Sequence, residues 1–535
     1  MQRPEMSNTS SEIPAMLAAI DIGSNTIRMV IAQVLPDGKL DILERLWRAV
    51  RLGQDTFRAG RLRGETMRSA ISTLRDYRYV LSTYGVGRVR AVATSAVREA
   101  ANGDTFIDRI LMATGLQVSI IGVAEESRLT ISAVRQATGE KLLQKNDSLI
   151  VEVGGGSTTV NLLRDGAIAA WQSLPIGSVR MQEVLSTGTE PANQAARLIE
   201  RQVSSAIATF KGILPLKNVD KFVAIGGDAR WAAGQVGRPF GETPLRVISR
   251  NGLDELLATC ESYTADELAR THHLPFTEAE TIVPALLVYS TLLKATGVRE
   301  MIVSDVSMRD GLLLDMAVGG VGRDTETMYK GTIQSAEAIA QKYLTDMAHA
   351  RYIRMAAVRI FDALSSEHRL GDRHRMLLEV AAQLHEIGTF VSSRAHHKHT
   401  RYLISSSEIP GLTQDELLMV ANVARYHRRS RPKPAHIEYM ALPHERRMVV
   451  NRLAAILRLA DALDVSRTQQ LTDFHCRIDK NGFIISVNAG GDLILEHRAL
   501  ADKADMFQDI YGLDVRLEEI RGPWSDGGKT SRTMR

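Results

Sequence analysis

Short apolar runs punctuated by glycine dominate the first 320 residues, and longer amphipathic stretches dominate the remainder. Residues 16–34, MLAAIDIGSNTIRMVIAQV, read as strand, turn, strand. Apolar runs flank Gly23-Ser24-Asn25-Thr26, and Ile27, Met29 and Ile31 then alternate with Arg28 and Val30. A helical pattern at 65–83 and a strand at 88–93 follow. A second hairpin runs from Leu149 to Leu163 around VEVGGGSTTV (151–160). Laid over the first, both show aliphatic–acid–aliphatic–Gly: Ile20-Asp21-Ile22-Gly23 and Val151-Glu152-Val153-Gly154. The offset, roughly 130 residues, is the size of one domain, so the pattern predicts a duplicated α/β unit with a cleft between its halves.

A further strand and turn, FVAIGGDARWAAG (222–234), runs into a helix after Gly226-Gly227. The α/β pattern ends near MIVSDVSMRDGLLLDMA (301–317), and Gly319-Gly320 with Gly322 mark a linker. Amphipathic stretches at 331–364, 373–388, 412–425 and 443–464 predict helices, followed by a β-like tail, CRIDKNGFIISVNAG and YGLDVRLEEI. The expected organisation is a tail at 1–15, α/β domains at 16–137 and 138–320, a mostly helical domain at 321–470, a small α+β part at 471–520 and a tail at 521–535. GGKTS in the last segment is not a phosphate loop, because the glycine required five residues before Gly528 is Pro523.

At 535 residues the chain exceeds a single core. With 44% hydrophobic and 24% charged residues it has the composition of a globular protein. No uninterrupted apolar run reaches bilayer length, and the polar opening MQRPEMSNTSSEIPA lacks a signal-peptide core, so no membrane role is expected. Cys260 and Cys476, far apart, suggest a reducing, cytoplasmic setting without a disulfide framework. A net charge of +4 does not announce a nucleic-acid binder. Charge is concentrated locally, however: residues 394–433 carry eight Lys/Arg against three acids, with four histidines besides. That segment is either a solvated basic face or an anion-binding surface.

Glycine turns let successive N–H groups point into one concavity, and hydroxyls beside them add donors for phosphate oxygens. An acid before the glycines repels phosphate but can hold a cation that binds it. One such loop is as readily a plain hairpin turn; two in the same register make a phosphate clamp. A Rossmann site is disfavoured, because a strand rather than a helix follows each turn. In ATSAVREAANG (93–103), Arg98 is either a phosphate-binding guanidinium or a surface residue beside Glu99. In IIGVAEESRL (120–129), a strand end delivers Glu125 and Glu126, of which one can face a cleft as a general base; the alternative is a helix N-terminus.

Taken in order, AAIDIGSNTIRMV, ATSAVREAANG, EESRL, VEVGGGSTTV, SLPIGSVR (173–180) and VSDVSMRDGLLLD resemble the motifs of the Ppx/GppA phosphatase family, exopolyphosphatases and guanosine pentaphosphate phosphatases on the actin/hexokinase-like (ribonuclease H-like) fold. The resemblance covers roughly 16–317, and AAQLHEIGTFVSSRAHHKHTRYLI (381–404) and ANVARYHRR (421–429) resemble the HD-like domain of longer members. It implies phosphate contacts on Gly23, Ser24, Asn25, Thr26, Arg28, Arg98, Gly155, Gly156, Ser157 and Thr158, Glu126 as catalytic base, and Asp21 and Glu152 as ligands for Mg²⁺ or Mn²⁺. It also implies inorganic polyphosphate, or pppGpp, as substrate and a homodimer. Two positions depart from the family pattern: Glu152 replaces an aspartate, and Thr159 stands where a glutamate is usual. Both predict altered metal binding, and they keep a phosphate-binding protein with weakened catalysis in play.

HD phosphohydrolases place metal ligands at positions matching His349, His385-Glu386 and Asp461, with glutamate here in place of the central aspartate. The sequence reading favours buried polar residues bridging helices over a working metal centre. The basic cluster of His396, His397, Lys398, His399, Arg401, Arg425, His427 and Arg428 is expected to guide a long polyanion by counterion release. That expectation tilts the substrate towards polyphosphate. A kinase or chaperone ATPase has no counterpart for the EESRL segment. Cysteine-phosphatase chemistry is excluded, because neither cysteine has an arginine six residues on.

Overall fold

The computed structural model describes residues 15–520 except 144–145, 186–189, 211–215, 318–322, 410, 429, 472, 480–481 and 489–492. The expected tails, apart from Ala15, and the glycine linker at 319–322 lie outside the described residues. The chain divides into two compact units, Met1–Gly331 and Thr332–Arg535.

The first unit holds two sheets. One comprises β1 (Met16–Ile22), β2 (Thr26–Val34), β3 (Leu40–Ala49), β4 (Arg88–Ala93) and β5 (Val118–Ile120), in the order β3-β2-β1-β4-β5. The other comprises β6 (Ser148–Val153), β7 (Thr158–Arg164), β8 (Ala167–Leu174), β9 (Lys221–Ile225), β10 (Arg238–Pro239), β11 (Arg246–Ser249) and β12 (Glu300–Ser304). In both, the first three strands are antiparallel and the next two run parallel to the first. The order β8-β7-β6-β9-β12 therefore repeats β3-β2-β1-β4-β5. The hairpin likeness in the sequence is the trace of a duplicated, actin-like domain.

Helices cover both faces of each sheet, so the central strands are apolar throughout rather than alternating. Ile20 and Ile22 of β1 face one core, and Leu17 and Ala19 face another. That second core includes Leu312 and Leu313 of the helix Met308–Ala317, so a segment assigned from sequence to the second domain returns to pack on the first sheet. The helix Phe276–Thr296 is long and apolar enough to cross a membrane by length and composition, unlike the apolar runs noted in the sequence. Two thirds of its most apolar 18-residue stretch is buried within the protein, where it anchors the core of the second sheet.

The second unit is built from helices that include Met347–Ala363, Asp372–Leu384, His396–Ser405, Gln414–Arg425 and His444–Ala462. The single helix expected over 331–364 is two: the first ends at Lys342, and Leu344 takes the left-handed conformation with φ 51°. Asp346 then caps the second helix, its carboxylate accepting from the Ala348 and His349 N–H groups at 3.1 and 3.2 Å. A small sheet follows, formed by β13 (Phe474–Asp479), β14 (Gly482–Asn488) and β15 (Val515–Ile520), with two helices between its parallel strands β14 and β15.

Candidate active site

The two glycine turns close in the same way. Gly23 N–H donates to the Thr26 carbonyl at 3.1 Å, and Gly154 N–H to the Ser157 carbonyl at 2.9 Å. They face each other across a cavity of about 750 Å³, which Gly23, Ser24, Asn25, Thr26, Arg28, Gly155, Gly156 and Ser157 help to line. The approach is close enough to require glycine. A Cβ on Gly156 would stand 2.2 Å from Ser95 Oγ and 2.9 Å from Ser24 Oγ. Ser24 and Ser95 are themselves hydrogen-bonded at 3.0 Å.

SLPIGSVR secures the second turn from behind. The N–H groups of Ser178 and Val179 donate to the Gly154 and Gly155 carbonyls, each at 3.0 Å. Arg180 donates to the Gly156 carbonyl at 2.5 Å, pairs with Glu99 at 2.6 Å and stacks over Phe57. The turn's carbonyls are thereby occupied by donors, a polarity suited to an anion.

Glu125 and Glu126 sit in the first turn of the helix Val123–Thr138, not on a strand end, since β5 stops at Ile120. A helix separates adjacent side chains by about 100°, so only one reaches the cavity. Glu126 lines it, while Glu125 pairs with Arg90 and Arg128 at 3.0 and 2.8 Å. One turn after Glu126, Thr130 donates to Glu152 Oε2 at 2.9 Å. Burial pushes the Glu126 carboxyl up to about 7, with Arg98 pulling it down and Glu152 and Asp21 pushing it up. Burial and Asp21 likewise raise Glu152, against the Thr130 hydrogen bond.

Asp21, Glu126 and Glu152 thus converge, and Asp21 Oδ1 is buried without a hydrogen-bond partner. An oxygen-rich set with an orphaned carboxylate oxygen fits a hard divalent cation. Thr159, directly opposite Glu152 in the β6–β7 pairing, also lines the cavity. Two guanidiniums not singled out from the sequence complete the lining. Arg309 donates to Asp21 Oδ2 at 3.0 Å, and Arg230 Nη1 is buried and unpartnered. Both lie in stretches already marked by pattern, SDVSMRDG and GGDARWAAG. Nothing local shows that either arginine points inward.

Three groups of expected site residues lie elsewhere. Arg98 does not line the cavity; its Nη1 donates to Glu126 Oε1 at 2.5 Å and to the Ile121 carbonyl at 2.6 Å, which fixes the glutamate. Thr158 turns its hydroxyl to the Ile176 carbonyl at 2.8 Å, because strand alternation gives the cavity to Thr159 instead. The basic segment of the second unit is not one exposed surface. Lys398 and Arg428 are exposed, His397 is half-buried, and Arg425 is paired with Glu438 at 3.3 Å. His396 and His427 are buried, with Nε2 atoms 3.2 Å apart. Helical periodicity turned part of the segment inward.

The model of the Ppx/GppA phosphatase family matches residues 30–318, and that of domain III of the same family matches 333–505. A guanosine-5'-triphosphate,3'-diphosphate pyrophosphatase of Photobacterium profundum is 24% identical over 519 residues, spanning 95% of this chain and 99% of its own. Among solved structures, an exopolyphosphatase from Cytophaga hutchinsonii superposes with a TM-score of 0.51 at 23% identity, over 57% of this chain and 98% of that one. A family member from Aquifex aeolicus gives 0.48 at 26% identity, over 58% and 99%. One family model spans more than half of the chain and a second most of the rest; the chain belongs to the Ppx/GppA phosphatase family.

Proposed function

We propose that this phosphatase-family chain hydrolyses the terminal phosphoanhydride bond of inorganic polyphosphate and releases orthophosphate. The observation that carries this reading is the pair of glycine turns facing across one cavity, with Glu126 reaching into it beside Asp21 and Glu152. The N–H groups and hydroxyls of the turns bind the terminal phosphoryl group. Glu126 takes the proton from a water whose oxygen attacks phosphorus in line, and the bond to the bridging oxygen breaks towards the shortened chain. Arg28, Arg230 and Arg309 offset the charge on the phosphoryl oxygens. Mg²⁺ or Mn²⁺ held by Asp21 and Glu152 would add Lewis-acid neutralisation there. Arg98 keeps Glu126 aimed at the cavity.

A second reading, removal of the terminal phosphate of pppGpp, is favoured by the near full-length likeness to the Photobacterium protein. Trp47 and Trp231 in the cavity lining offer rings on which a base can stack. Phosphate release from long polyphosphate and from pppGpp, at matched enzyme with Mg²⁺ and Mn²⁺, separates the readings. Glu126→Gln is expected to lower turnover about 10²–10⁴-fold while leaving substrate binding intact. Full activity in that variant overturns the mechanism; binding without release by the wild type, with either metal, makes the chain a phosphate-binding protein instead.

A further inference from the structure

Two helices of the first unit pass between its sheets, and each delivers one side chain to the cavity. The helix Val123–Thr138 leads from β5 to β6 and brings Glu126. The helix Met308–Ala317 follows β12, packs on the first sheet and brings Arg309. Along the former, Leu129 joins a core with Leu17 and Ala19 of β1, while Ile131 and Val134 join a core with Ile150 of β6. Apolar packing of this kind is non-directional, so it holds the helix in place without fixing how it is turned.

The two helices meet backbone to backbone. A Cβ on Gly311 would stand 2.1 Å from the Leu129 carbonyl oxygen and 2.7 Å from the carbon that bears it, so the crossing requires glycine. That contact sets how far apart the helices lie. It does not set the rotation of either about its own axis.

Four charged residues beside the crossing do so. Arg128 grips Glu125 on its own helix, with Nε and Nη2 each donating at 2.8 Å. The same guanidinium grips Asp315 of the facing helix, with Nη1 and Nη2 donating at 3.1 and 2.5 Å. Arg90 of β4 closes the ring, donating to Asp315 at 3.1 Å and to Glu125 at 3.0 Å. Two cations balance two anions, and only 8% of the Arg128 side chain is exposed. Burial raises the Glu125 carboxyl, but Arg128 and Arg90 together bring it below its ordinary value, so it stays charged. Bidentate pairing fixes direction as well as distance. All four residues lie outside the cavity lining, so their contacts serve the helices rather than a ligand.

Glu125 and Glu126 are adjacent, so any turn of the helix that frees the first swings the second through the same angle. For a group about 5–6 Å from a helix axis, a turn of about 10° is a displacement of about 1 Å. Misplacing a reacting group by that distance costs about 10²-fold in rate.

We propose that Arg128 and Asp315 are positioning residues for hydrolysis: their bidentate lock across the helix crossing sets the rotation of the helix Val123–Thr138 and so aims Glu126 at the attacking water. Arg98 holds the end of the Glu126 side chain, and the lock holds the backbone from which it springs. The inference rests on Glu126 acting as the base.

The test is a double-mutant cycle on the full chain, Asp315→Ala with Glu126→Gln. It is read as phosphate release from whichever of long polyphosphate and pppGpp the wild type hydrolyses. Asp315→Ala strands no charge, because Arg128 and Arg90 keep Glu125. It is expected to lower kcat about 10²-fold and change KM less than about threefold, at a temperature where circular dichroism shows folded protein. In the Glu126→Gln background the same substitution should cost less than about threefold more, because the group it aims is already gone. Native kcat in folded Asp315→Ala, a raised KM with unchanged kcat, or losses that multiply in the double variant would each overturn the positioning role and leave Glu126 as the base. Full activity in Glu126→Gln overturns the base itself, and the positioning role falls with it. If Asp315→Ala does not fold, Arg128→Lys decides, since lysine keeps the charge but cannot hold two carboxylates in one plane. Its kcat should fall about tenfold, and an unchanged value overturns the proposal.

Discussion

A single added methyl group at Gly177 tests whether the second turn must be held where it is. Gly177 precedes the helix Ser178–Leu185 and lies against the back of the turn. A Cβ there would stand 2.3 Å from Gly156 C, 2.4 Å from Ser157 N and 2.5 Å from Gly155 C. All three are backbone atoms, so no side chain can swing aside. Ordinary contact begins at 3.4 Å, so Gly177→Ala must displace the turn or the helix by roughly 1 Å. A shift of that size in positioning groups costs about 10²-fold in rate, and overpacking costs about 1–3 kcal/mol of stability. The assay is phosphate release under saturating Mg²⁺, with thermal unfolding alongside. Gly122→Ala, at the start of the helix that carries Glu126, is the control, because its Cβ meets nothing within 4 Å. Native activity in Gly177→Ala would refute the clamp geometry, and equal losses in both variants would refute the steric reasoning.

The carboxyl of Glu126 stands near 7 and must be ionised to act as a base, so kcat/KM is expected to rise with pH and level off above about 7, with saturating Mg²⁺ moving the inflection down. Arg98→Gln removes the group that lowers this pKa and should move the inflection up; a profile flat from about pH 5.5 to 8 would exclude Glu126 as the base. Thr159→Glu places one more carboxylate opposite Glu152, which should lower the Mg²⁺ concentration for half-maximal activity about tenfold while destabilising the metal-free protein. Unchanged metal titration would separate Thr159 from the cation site. Tyr289 is fully buried, accepting from Val153 N–H at 3.1 Å and donating to the Ile225 carbonyl. Tyr289→Phe leaves two buried backbone groups without that partner and is expected to cost about 1–3 kcal/mol by denaturant unfolding.

Local pattern alone determined the two glycine hairpins, the strand-to-helix step at Gly226-Gly227, the duplication and the helical character beyond residue 330. Strand and turn signals act over a few residues, and the repeat carries the same signal twice. The resemblance carried by the ordered motifs added the family, and with it Glu126 and the acids Asp21 and Glu152. Direction in space was not legible. Whether Arg98 faces a phosphate or Glu126, and whether Thr158 or Thr159 enters the cavity, depends on strand phase and helix rotation against distant partners. Arg309 is an ordinary arginine in the chain and turns inward only when Asp21, more than two hundred residues away, is brought beside it, and Arg230 lines the same cavity without a partner for its Nη1. The basic segment shows the same limit: its charge is concentrated in the sequence, yet packing buries His396 and His427 beside His385 and Asp461. Sequence determines which groups are present and how each short segment bends; the tertiary structure decides which groups share a volume from which water is excluded, and that volume sets their pairing and protonation.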